Sequence, residues 1–129
     1  LQGDAISVAT GLGALVDSCF HAPNKESMSY NEYTALVGAI AQQHPLARSL
    51  LLNKREQDQS SLLRYATKLP VLLIIGEFDQ QILWEKVDDL LRRQFSQYKL
   101  HLVKDAGHSA FWEKAEETNI AIQSFIDHS

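Results

Sequence analysis

The stretch "VLLIIGEFDQ", residues 71–80, constrains the fold more than any other part of the chain. Its aliphatic run is short, apolar throughout and rich in branched side chains. That composition suits a strand covered on both faces of a parallel sheet. The run stops at Gly76 and two acids, Glu77 and Asp79. Further on, "KLHLVKD" alternates, with Leu100 and Leu102 on one side, and reads as a strand nearer a sheet edge. Between the two, residues 83–97 place Val87, Leu90, Leu91 and Phe95 on one helical face. Asp88, Asp89, Arg92 and Arg93 fall mostly on the other. Residues 113–127 read as a last helix, with Ala115, Thr118, Ile122, Phe125 and Ile126 inward. Residues 69–129 therefore form a β-α-β-α unit with parallel strands, and the fold class is α/β.

Residues 1–68 contain no convincing strand and read as a helical region. "GALVDSCF" closes a helix begun near Asp4, and "HAPNKESMSYNE" follows as a polar loop. Ser29, with Glu32 three residues on, has the pattern of a capping box. Tyr33, Leu36, Val37, Ile40 and Ala41 then recur at the spacing of an amphipathic helix. Pro45 suits the first turn of a helix over "PLARSLLLNK", "REQDQSS" is a polar break, and "SLLRYATK" is a short helix leading to Pro70.

Several functional classes are disfavoured by composition. A net charge of −4 and a pI near 5.7 argue against a general nucleic-acid or anionic-membrane binder. No apolar run approaches the roughly 18 residues of a membrane span. The N-terminus lacks the pattern of a signal peptide, and a cytoplasmic location is expected. The one cysteine, Cys19, has no internal disulfide partner. No Cys/His spacing suggests zinc, and no metal site is expected.

Chemistry enters at the strand ends. In an open α/β sheet, reactive groups gather beyond the C-terminal ends of the strands. Asp79 follows the first strand, and His108 follows the second by a turn containing Gly107. If the strands are neighbours, about 4.8 Å apart, the two side chains meet. A carboxylate that holds an imidazole by its Nδ1–H fixes the tautomer and steadies the imidazolium formed during catalysis. Gly107 is expected to let the backbone turn sharply and present the ring.

"LPVLLIIGEFD" followed by "LHLVKDAGHSAFWEKAEETNIAIQSFI" resembles the C-terminal end of the α/β-hydrolase fold family. The family's penultimate strand ends in G-x-x-D, its last strand in a G-H turn, and an amphipathic helix closes the chain. The resemblance implies Asp79 as triad acid and His108 as triad histidine. It makes residues 1–68 a helical lid and residues 69–129 part of the hydrolase core. It implies no cofactor. The family's nucleophile sits on a G-x-S-x-G elbow between a strand and a helix. The glycines at 3, 11, 13, 38, 76 and 107 frame no serine in that pattern. The chain thus resembles a fragment or subunit of a serine hydrolase or esterase, holding acid, base and lid without the nucleophile. Epoxide hydrolases and haloalkane dehalogenases share the Asp/His pair with an Asp nucleophile, so the reaction type stays open.

Each residue also has a plainer reading. Glu77 is the rival acid, His101 a surface residue in mid-strand, and Ser109 a turn residue. Cys19 reads as a packed helical cysteine rather than a nucleophile. Phe20 and Tyr33 in the lid, and Trp112 at the last helix, are the candidates for contact with a small apolar substrate. Phe111 and Trp112 equally serve to anchor that helix. The strand at 71–75 is built for two flanks, and these residues supply one. Two partners fit: a missing N-terminal half carrying the nucleophile, or a second copy pairing along that edge. On the second reading the chain is a non-catalytic, self-assembling or binding module.

Overall fold

The computed structural model describes residues 5–44, 46, 47, 60, 64, 66 and 68–128. Three helices come first: α1 (Ala5–Ser18), α2 (Ala22–Glu26) and α3 (Tyr30–Ala41). Then come β1 (Pro70–Gly76), α4 (Trp84–Gln94), β2 (Gln97–Val103), α5 (Ala110–Glu113) and α6 (Ala115–Asp127). The architecture is α/β: a helical region followed by a parallel β-α-β-α arrangement, the layout of a partial α/β-hydrolase fold. The helices expected over "PLARSLLLNK" and "SLLRYATK", and the start near Asp4, lie largely outside the described residues.

In the helical region, α1 turns Leu12 and Val16 inward, one turn apart, and Phe20 continues the same line beyond its end. The capping box forms. Ser29 Oγ accepts the Glu32 N–H at 3.3 Å, and Glu32 Oε2 accepts the Ser29 N–H at 2.9 Å. The Ser29 hydroxyl also donates to Glu32 Oε2 at 2.6 Å, and this bond, then the one from the Ser29 N–H, holds the Glu32 carboxyl below the ordinary glutamate range. Tyr33 ties α3 to α1 by donating to the Gly13 carbonyl at 3.3 Å. The stretch read as a polar loop contains α2 instead. Pro23 lies in its first turn, where the fixed φ favours a helix and the missing N–H costs no bond.

β1 and β2 pair in parallel, in a register running from Pro70 opposite Gln97 to Gly76 opposite Val103. Among the described residues this sheet has two strands, and the other edge of β1 carries no partner. Ile75 and Gly76 are buried, but residues 71–74 are only half-buried, where the sequence pattern led us to expect cover on both faces. The core lies at the C-terminal ends of the strands: Val103, Ala106 and Ala110, with Ile74 packed against them.

The helix boundaries differ from the sequence reading in two places. The segment read as a helix over 83–97 ends at Gln94, because Phe95 adopts extended backbone and buries its ring. Tyr98, just beyond, donates to Asp88 Oδ1 at 2.7 Å and joins β2 to α4. The last helix, read from residue 113, begins at Ala115, and the short α5 precedes it. Lys114 leaves helical geometry at φ −134° and ψ 54°, and Thr118 Oγ1 spans the break to the Ala110 carbonyl. Thr118 and Phe125 face inward as read. Ala115, Ile122 and Ile126 are exposed, because the two strands offer α6 too narrow a surface to cover its whole apolar stripe.

Candidate active site

Beyond Gly76 the chain leaves β1 in a tight turn, and beyond Val103 the 104–109 loop runs alongside it. Two backbone bonds fasten the loops together: Glu77 N–H to the Val103 carbonyl and Phe78 N–H to the Ala106 carbonyl, both 2.9 Å. Gly76 makes this approach possible. A Cβ there would lie 2.1 Å from the Gly107 carbonyl oxygen and 2.4 Å from that of Ala106. Asp105 takes the left-handed conformation of the loop, at φ 52°.

Asp79 and His108 meet. Asp79 Oδ2 lies 2.8 Å from His108 Nδ1, and the Asp79 side chain is 2 % exposed. Its other oxygen accepts the Gln81 and Ile82 N–H groups at 2.8 and 3.0 Å. The carboxylate only accepts, so Nδ1 carries a proton towards it, and in the neutral ring Nε2 holds the lone pair. Among the described residues nothing bonds Nε2, and the ring is 38 % exposed. Glu77, the rival acid, is exposed, and among the described residues its side chain reaches only the Asp105 N–H, at 3.5 Å. His101 pairs with Glu117 on α6 at 3.1 Å.

Gly107 has a different role from the one expected. Its φ is not positive, so no other residue is barred there by backbone conformation. The restriction is space. A Cβ would lie 2.6 Å from the His21 nitrogen and 2.7 Å from the Phe20 carbonyl carbon. The segment between α1 and α2 presses directly on the histidine turn. Ser109 is a turn residue whose N–H donates to the Cys19 carbonyl at 2.8 Å. The His21 ring stacks on Phe78 with centroids 4.2 Å apart.

Sequence reasoning missed Glu113. Its Oε1 accepts the Gly107 N–H at 2.7 Å, and its Oε2 accepts the His21 N–H at 2.8 Å and Asn24 Nδ2 at 2.7 Å. Its position five residues beyond His108, on the next helical turn, was the available clue. The partners in the helical region leave no local signature.

Phe20 is buried, and with Asn24, Met28, half-exposed Trp112 and Glu113 it lines a groove of about 200 Å³. Neither Asp79 nor His108 lines that groove. Tyr33 is not part of it; partial desolvation and the Asp17 carboxylate push its phenol up. A wider, shallow depression of about 440 Å³ lies against His101 and α6, away from the pair. The Cys19 thiol accepts from Gln81 Nε2 at 3.0 Å and donates to the Leu15 carbonyl at 3.3 Å. Burial, and then the charges of Asp79 and Glu113, raise its pKa against the opposing Gln81 bond, so it stays protonated. Among the described residues no three His, Cys, Asp or Glu side chains group as a metal site, and no helix is long and apolar enough to cross a membrane.

No protein-family model matches the chain. Protein ABHD14A of Mus musculus, an α/β-hydrolase family member, is 32 % identical over 63 residues. The match covers 49 % of this chain and 25 % of that protein. The chain is therefore similar to an α/β-hydrolase over about half its length, and it spans about a quarter of the relative.

Proposed function

We propose that this chain supplies acid, base and lid to an α/β-hydrolase that cleaves an ester or similar small apolar substrate. The observation that carries the reading is the 2.8 Å bond from His108 to a buried Asp79, with Nε2 open on the other side of the ring. In this arrangement Nε2 takes the proton of a serine hydroxyl as the oxygen attacks the substrate carbonyl, and then returns it to the leaving group. Asp79 stays ionised throughout and stabilises the imidazolium. Residues 1–68 act as the lid and residues 69–129 as part of the core. Phe20 and Trp112, which share a groove, contact the apolar substrate, and Tyr33 braces the lid. The serine lies on a part of the protein outside these 129 residues, seated along the open edge of β1.

The test is a fluorophosphonate serine probe applied to material captured from the native source with an antibody to this chain. Labelling is expected on a longer form of this chain or on a chain that travels with it, and Asp79→Asn and His108→Ala abolish it. Intact captured material that takes no label counts against the reading.

The open edge of β1, and a sequence without G-x-S-x-G, support a second reading: a non-catalytic module in which two copies pair along the 71–75 strand. Light scattering separates them. A dimer that Lys substitution of the half-buried Leu73 dissolves favours the module, and a clean monomer at high concentration sinks it.

A further inference from the structure

Glu113 hydrogen-bonds neither Asp79 nor His108, yet its carboxylate spans the two segments that hold the histidine in place. On one side is the peptide N–H of Gly107, immediately before His108, at 2.7 Å. On the other are the His21 N–H and the Asn24 amide, from the start of α2. Asn24 also donates to the Asp105 carbonyl, and the Ser109 N–H is bonded to the Cys19 carbonyl. Residues 105–109, with His108 among them, are thus held on both flanks by residues 19–24. Among the described residues Glu113 is the one side chain accepting from both. An ionised carboxylate is suited to this because it offers acceptors in both directions and no donor to repel an N–H.

We propose that Glu113 is a positioning residue for His108. It locks the turn before the histidine to the helical region, so the ring is held with Nδ1–H on Asp79 and Nε2 outward. A lid displaced at 19–24 releases the lock and lets the ring leave the carboxylate. The proposal rests on the reading of Asp79 and His108 as an acid–base pair.

The test uses the full chain, labelled with nitrogen-15, and long-range proton–nitrogen spectra that report the tautomer of each imidazole. In the parent chain His108 is expected in the Nδ1–H form. Glu113→Gln keeps the size of the side chain but turns an NH₂ group towards one of the donors. Its expected effect is a mixture of His108 tautomers and about tenfold faster solvent exchange of the Nδ1 proton, as one lost charged hydrogen bond implies. The His101 and His128 rings, bonded to Glu117 and the Ser124 carbonyl, are unchanged and serve as internal controls. A folded Glu113→Gln chain with the parent His108 tautomer and exchange rate overturns the proposal and leaves Glu113 a packing residue. If that variant does not fold, Asn24→Ala decides: a smaller acceleration supports the proposal and an unchanged rate overturns it. Asp79→Asn tests the underlying pair separately. If it leaves the tautomer unchanged, the acid–base reading fails. If it abolishes the Nδ1–H form while Glu113→Gln does not, the role of Glu113 alone fails.

Discussion

Replacing Gly76 with alanine puts one methyl group where the strand end meets the histidine turn. Its Cβ would stand 2.1 Å from the Gly107 oxygen and 2.4 Å from the Ala106 oxygen. Both obstacles are backbone, so no change of rotamer relieves them. The φ at Gly76 is not positive, so alanine adopts the local conformation and contact alone sets the cost. The turn has to retreat by more than an ångström to reach ordinary contact at 3.4 Å or beyond. Overpacking of this kind costs about 1–3 kcal/mol. The retreat also strains the Glu77 and Phe78 backbone bonds, each contributing about 0.5–1.5 kcal/mol net. Together the loss is about 2–6 kcal/mol, a large share of the roughly 5–15 kcal/mol that holds a domain folded. Urea unfolding followed by circular dichroism should show a lower midpoint at an unchanged slope. The His108 Nδ1 proton should exchange faster, because the displaced turn carries that ring. A midpoint shifted by less than about 0.5 kcal/mol, the range of neutral surface changes, would refute the argument that β1 and the turn touch through this glycine.

Gly38→Ala is the converse case: nothing lies within 4 Å of the added methyl in α3, so stability rises by about 0.5–1 kcal/mol, read from the same urea midpoint. Ser29→Ala removes the α3 cap and costs about 1 kcal/mol. In the parent chain the folded Glu32 pKa is depressed, first by the Ser29 hydroxyl and then by its backbone N–H. The cap's contribution is therefore full above the ordinary glutamate range and is lost as pH falls through the lowered value; the Ser29 amide shift should titrate at that lowered pH. Burial, and then Asp88, raise the Tyr98 phenol. Its stabilising effect is full below the ordinary tyrosine pKa and fades as pH rises beyond it. The absorbance step that Tyr98→Phe deletes should lie at the alkaline end of the titration.

The strongest parts of the fold were legible because their signals are local. The aliphatic run at 71–75, the Ser29 and Glu32 pair, and the acid and histidine beyond two strands each declare themselves within a few residues. What escaped the sequence depends on distant partners. Gly107 looked like a turn glycine, but it is small because Phe20 and His21 lie against it. Glu113 looked like an ordinary charge at the start of a helix, since its partners lie at the far end of the chain. Ile122 and Ile126 fit an inward stripe, but periodicity does not report how wide a surface the helix will meet. Phe95 fitted the helical face of α4, yet it buries its ring from extended backbone and ends the helix early.

The bridge from Glu113 to His21 closes a loop of 92 residues, whereas β1 and β2 are joined through a single helix. Loop-closure entropy rises with separation, and distant contacts are slow to be rewarded during folding. The β-α-β-α unit should therefore assemble first, with α1 and α2 docking on the histidine turn in a later step. In stopped-flow refolding, α4 and the strands would gain protection before the His21 and Gly107 amides do. Simultaneous protection would mean that docking belongs to the same barrier as the sheet. If the sheet is protected first, the acid–histidine contact is the earlier event, and its immobilisation by the helices is the last act of folding.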